Sequence, residues 1–138
     1  MLKKLYDIAE RNGIDIDYFH MKSVSSMSIH NAIAIDETKM QSEADENVHL
    51  AHELGHCTTG SFYNINSKYD IKEKHEYTAD KWAIKTLIPF NQLLSAIEQG
   101  INETWSLAEH FSVTESFIKK TLNLYEEKLI NLRLDKEV

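Results

Sequence analysis

His49-Leu50-Ala51-His52-Glu53-Leu54-Gly55-His56 is the stretch around which the rest of the chain is read. Residues 52–56 form a His-Glu-x-x-His pattern. On a helix, residues four apart stand one turn above each other, about 6 Å along the axis. Two imidazoles so placed can converge on one metal ion at about 2.0–2.1 Å. Glu53 falls about 100° round the helix from His52, on the flank of that face. It is set to touch a metal-bound water rather than to ligate the metal, and that division of labour is the physical content of the pattern. The flanking sequence supports the helix. Ser42 offers a hydroxyl N-cap, Glu43, Asp45 and Glu46 put negative charge in the first turn, and the run is expected to reach about Cys57 and stop near Gly60.

A catalytic metal needs a third protein ligand and one position open to water. Glu76 stands 20 residues after His56, inside a second helix expected from about Lys72 to Leu87, ahead of Pro89. Asp80 follows Glu76 by one turn. Ala79 and Ala83 are small enough to let this helix lie close to the first. Glu76 is then the expected third ligand. Asp80 would accept a hydrogen bond from the outer nitrogen of a ligand histidine and so set its tautomer. The mixed nitrogen and oxygen donor set with one open position favours Zn2+, although manganese or iron suits similar ligands.

Outward from these two helices the pattern changes twice. Residues 1–12 read as a short amphipathic helix with Leu2, Leu5, Ile8 and Ala9 on one face, stopped at Asn12-Gly13. Ile14, Ile16 and Tyr18 alternate with Asp15 and Asp17 as in a half-buried strand. Met27-Ser28-Ile29 starts a second strand. Ala32-Ile33-Ala34-Ile35 reads as a third, more buried one, whose edge an extended substrate could join. Beyond residue 90 the pattern is helical throughout: Leu93, Leu94 and Ile97 before Gly100, then a short helix with Trp105, Leu107 and Ala108 capped by Asn102. A last helix carries Phe117, Ile118, Leu122, Tyr125 and Leu129. The expected class is α+β. A small N-terminal sheet packs on a two-helix metal-binding core spanning residues 1–90, and a helical lobe over residues 91–138 packs on that core as one unit.

Three blocks in this order resemble the ImmA/IrrE family of metallopeptidases: His52-Glu53-Leu54-Gly55-His56, then Glu76-Tyr77-Thr78-Ala79-Asp80-Lys81-Trp82-Ala83, then Leu87-Ile88-Pro89. The resemblance spans roughly residues 30–90. It implies zinc on His52, His56 and Glu76 with Glu53 as catalytic base. It also implies a protein substrate, typically a helix-turn-helix transcriptional repressor of a phage, mobile element or stress response. The alternative is a metal-binding anti-repressor module that acts by binding a regulator without proteolysis. Intact Glu53 favours the peptidase, since a structural zinc has no use for a base beside an open position.

Other residues carry less. Tyr63, Tyr77 and His75 are equal candidates for a second electrophile. His49 is a neighbour of the site rather than its ligand, Cys57 a small buried residue, and His20, His30 and His110 structural or exposed. Leu107 to Ile118 has a helix-turn-helix cadence, but its second helix offers only Lys119 and Lys120 before Glu126 and Glu127, so a packing or docking lobe fits better. The net charge of −7 over 138 residues also argues against a general affinity for nucleic acid. One cysteine rules out an internal disulfide. The charged N-terminal segment has no apolar core of a secretory signal, and no stretch would span a bilayer, so a cytoplasmic location is expected.

Overall fold

The computed structural model describes residues 2–137. Helix α1 (Leu2–Arg11) buries Leu5 and Ala9 and ends where Gly13 takes a left-handed φ of +66°. Three four-residue strands follow, β1 (Asp15–Tyr18), β2 (Ser26–Ile29) and β3 (Ala32–Ile35). They form one sheet in the order β1-β3-β2, with β1 parallel and β2 antiparallel to β3. The expectation that Ala32–Ile35 offers an edge is therefore overturned. Its apolar run is that of a strand hydrogen-bonded on both sides, and the edges belong to β1 and β2.

Register decides which side chains meet the core. Ile16, Ser28 and Ile33 are paired across the sheet, as are Tyr18, Ser26 and Ile35. The pleat alternates, so Ile33, Ile35 and both serines share one face. Ile33 and Ile35 are buried against the helices, whereas Met27 and Ile29 are exposed on the other face. On hydrophobicity alone β2 would point the opposite way. The alternation in β1 holds at Ile14 and Ile16, but Tyr18 is exposed, its hydroxyl against that of Tyr6. Buried Asp36 closes β3 and accepts from the backbone N–H groups of Met21 and Thr38.

Helix α2 (Glu43–Thr59) begins as expected: the Asp45 N–H donates to Ser42 Oγ, and Gly60 closes the helix in the left-handed conformation. Helix α3 (Tyr69–Leu87) starts about three residues earlier than its composition suggested, because its N-cap, Lys68, makes no side-chain capping bond to mark the start. Gly55 explains how closely the two helices approach. A Cβ there would lie 2.5 Å from the Ala79 carbonyl oxygen and 3.0 Å from the Ala79 Cα. Ala79 and Ala83 are fully buried on the facing side.

Helices α4 (Phe90–Glu98), α5 (Thr104–Phe111) and α6 (Glu115–Glu137) complete the chain. The cap of α5 is Glu103, not Asn102, and it makes no side-chain bond; Trp105 is exposed while Leu107, Ala108 and Phe111 carry the buried face. Leu93, Leu107, Phe111, Phe117 and Ile118 belong to the same apolar cluster as Leu50, Leu54 and Ile33. Two polar ties cross between these regions. Tyr125 donates to the Ile88 carbonyl at 2.8 Å, and buried Asn47 donates to the Ser112 carbonyl at 2.9 Å. Among the described residues, no helix is long and apolar enough to cross a membrane.

Candidate metal centre

The spacing of α2 puts His52 above His56, and the close approach at Gly55 brings Glu76 of α3 to both. Their Nε2 atoms are 3.2 Å apart. Glu76 Oε2 lies 2.9 Å from His52 Nε2, and its Oε1 lies 3.0 Å from His56 Nε2. Two donors held about 2.05 Å from one tetrahedral ion are separated by roughly 3.3 Å. The triangle thus has nearly the size that a single cation requires, and these three residues could hold one.

Each imidazole is oriented from behind. His52 Nδ1–H donates to Asp80 Oδ1 at 2.7 Å, and His56 Nδ1–H donates to the Ser61 carbonyl at 2.5 Å. Both Nε2 atoms are therefore turned to the shared point, the arrangement that fixes a metal-binding tautomer. Asp80 also accepts from Lys120 of α6 at 3.3 Å, so a helix of the C-terminal region abuts the rear of the site. Sequence reasoning anticipated Asp80. It missed the Ser61 carbonyl, because a backbone acceptor has no signature in side-chain type, and it missed Lys120, which stands 40 residues from its partner.

The electrostatics without a metal follow from these contacts. Burial works to lower the pKa of His52, but hydrogen bonds and charge from Asp80 and Glu76 outweigh it and hold the imidazole up to about 10. His56 is opposed by burial in the same way and raised by Glu76 and the Ser61 carbonyl. Glu76 is pushed well below the usual carboxylate range, first by its bond to His52 and then by that to His56. Protons thus hold together the groups that a cation would bridge.

A cleft of about 340 Å³ opens on this triangle, lined by Ser26 to Ser28 of β2, Glu53, Phe62 and Tyr63 among others. Glu53 is nearly buried, 7% exposed. Ser26 Oγ donates to its Oε2 and Ser28 Oγ to its Oε1, both at 2.7 Å. Neither serine is visible as a site residue in the sequence. The signal that could have found them is the two-residue spacing on a strand, which puts both on one face. Among the three candidate electrophiles, Tyr63 lines the cleft and donates to Glu76 Oε1 at 2.8 Å, a bond that raises its pKa to about 12. His75 stacks on Tyr63, and Tyr77 borders a separate hollow with Asp80 and Lys120.

The remaining histidines are elsewhere. His49 turns to Ser26 Oγ at 2.9 Å and to Asp45 at 3.5 Å. His20 is largely exposed beside Asp36. Cys57 is half-buried, its thiol directed at the Ile29 carbonyl and raised to about 11 by burial first and Glu53 second.

Comparison with known proteins agrees with this geometry. None of the curated proteins compared matches the chain. The peptidase family described as the IrrE N-terminal-like domain matches residues 9–123, a span that takes in the sheet, both metal-site helices and most of the C-terminal region. On that match, the chain belongs to the IrrE N-terminal-like family of metallopeptidases.

Proposed function

We propose that the chain is a zinc-dependent endopeptidase that hydrolyses a peptide bond in one specific protein substrate, a helix-turn-helix transcriptional repressor of a phage or mobile element. The observation that carries the enzymatic part is the donor triangle of His52, His56 and Glu76 at 2.9–3.2 Å beside the Glu53 carboxylate, open to one cleft. The repressor is drawn from the resemblance to the family.

Zinc held by these three residues would make water nucleophilic near neutral pH and polarise a carbonyl. The chain's own groups do the rest. Glu53 takes the proton of the attacking water and returns it to the departing amine. Asp80 and the Ser61 carbonyl keep the imidazoles turned inward while charge develops. Tyr63, which lines the cleft, is the donor best placed to steady the oxyanion once its hydroxyl turns from Glu76 to the substrate. β2 forms one wall of the cleft and is an edge strand of the sheet among the described residues, which suits an extended peptide adding as a further strand.

The helical region over residues 91–138 is read as packing on the 1–90 core in one unit, with no role in reading DNA. Lys120, one of the two early basic groups of α6, is already engaged by Asp80. A single unfolding transition seen by both Trp82 and Trp105 fluorescence would bear this out; two transitions would divide the unit.

Coexpression with a candidate repressor tests the activity. Wild type should cut it, while Glu53→Gln should bind zinc with the same stoichiometry and leave the repressor intact. If Glu53→Gln relieves repression as well as wild type does, the chain acts by binding and the proteolytic reading is wrong.

A further inference from the structure

A carboxylate as buried as Glu53 must be satisfied, and the common solution is a cation. Here the donors are two neutral hydroxyls from one strand, Ser26 to Oε2 and Ser28 to Oε1. A lysine or arginine in their place would neutralise the charge and occupy the oxygens. Two hydroxyls use only one lone-pair site on each oxygen, leaving capacity for a water on the cleft side. They also fix the plane of the carboxylate, which a flexible glutamate cannot do alone.

The serines are themselves held. Ser26 spends its only proton on Glu53, so its oxygen accepts from His49 Nδ1–H at 2.9 Å. The other ring nitrogen of His49 faces Asp45 at 3.5 Å. Both serines are tied by register to β3, Ser26 opposite Ile35 and Ser28 opposite Ile33, and those two isoleucines are fully buried or nearly so. The hydroxyls thus sit opposite two core residues of the central strand. β2 also walls the cleft, so the strand a peptide would join is the strand that aims the carboxylate.

We infer that Ser26 and Ser28 are positioning residues for the base, orienting the Glu53 carboxylate towards the donor triangle through a two-hydroxyl clamp on β2. This rests on the reading of Glu53 as the base beside a metal, and the experiment separates the two. The probe is acetohydroxamic acid bound to the zinc-loaded full chain. A hydroxamate chelates through its two oxygens, and its hydroxyl proton passes to an adjacent carboxylate, so its affinity reports whether that carboxylate is in place without any protein substrate.

Ser26→Ala/Ser28→Ala should keep wild-type zinc affinity and bind the hydroxamate about tenfold more weakly, the order usual when a group supporting a metal site is lost. Glu53→Gln should show at least that loss, and each single serine variant an intermediate one. Threonine at both positions restores the hydroxyls and should return the affinity to within a factor of about two. The clamp is overturned if the double alanine variant binds hydroxamate like wild type while Glu53→Gln does not, or if the threonine variant stays as weak as the alanine one. If Glu53→Gln itself binds like wild type, the assignment of the base has failed, and the clamp falls with it. Loss of zinc affinity in the double alanine variant would show a merely structural role.

Discussion

Replacing Gly55 with alanine should damage the metal site although glycine contributes no donor atom to it. The added Cβ would lie 2.5 Å from the Ala79 carbonyl oxygen, where ordinary contact begins at about 3.4 Å. The obstacle is backbone, so no side chain can swing away, and α3 must retreat by roughly 1 Å. Glu76 stands one turn before Ala79 on that helix and moves with it. Its oxygens now lie 2.9 and 3.0 Å from the two Nε2 atoms, and metal bonds tolerate only about 0.2 Å. Zinc affinity should fall at least about tenfold. Stability should change less. Overpacking costs about 1–3 kcal/mol, and alanine returns about 1 kcal/mol of helix propensity, leaving a net loss of about 0–2 kcal/mol. Zinc affinity by competition with a chromophoric chelator, with thermal melts of the metal-free and zinc-loaded protein, separates the two effects. A variant that binds zinc like wild type would refute the claim that the closeness of α2 and α3 sets the position of Glu76.

Two further outcomes follow from the same contacts. Asp80→Asn removes the charge behind His52 and should weaken zinc binding about tenfold with little change in the fold, measured by the same competition assay; unchanged affinity would leave Asp80 with no part in orienting the imidazole. The third concerns protons. His52 without metal has a pKa raised to about 10, so at pH 7 it is charged, and a metal that needs its bare Nε2 must displace that proton. Zinc affinity should therefore rise with pH through the neutral range and level off above about 10. Titration calorimetry in buffers of different ionisation heat should show release of about one proton or more at pH 7, and heats that do not depend on the buffer would refute it.

Much of the site was legible in the chain because it is built on helices. Helical spacing is rigid and local, so His52 and His56 had to share a face, Glu53 had to flank it, and Asp80 had to sit one turn from Glu76. Ser42, Gly60 and Pro89 marked helix ends for equally local reasons. The start of α3 and the cap of α5 were less accurately read, because Lys68 and Glu103 make no side-chain capping bond. The sheet was the harder part. Its strands are four residues long, and their order depends on pairing between segments far apart, which no local pattern encodes. Composition made Ala32–Ile35 the buried strand, and so it is, but only the tertiary fold put it at the centre and made Ser26 to Ser28 one wall of the cleft. The same register turned Met27 and Ile29 outward and the two serines inward onto Glu53, against the usual preference for burying apolar side chains. The amino-acid order determined which side chains could meet a metal. Tertiary packing decided what holds them, because Ser26, Ser28, Ser61 and Lys120 reach the site across loops and strands whose geometry is set by the whole core.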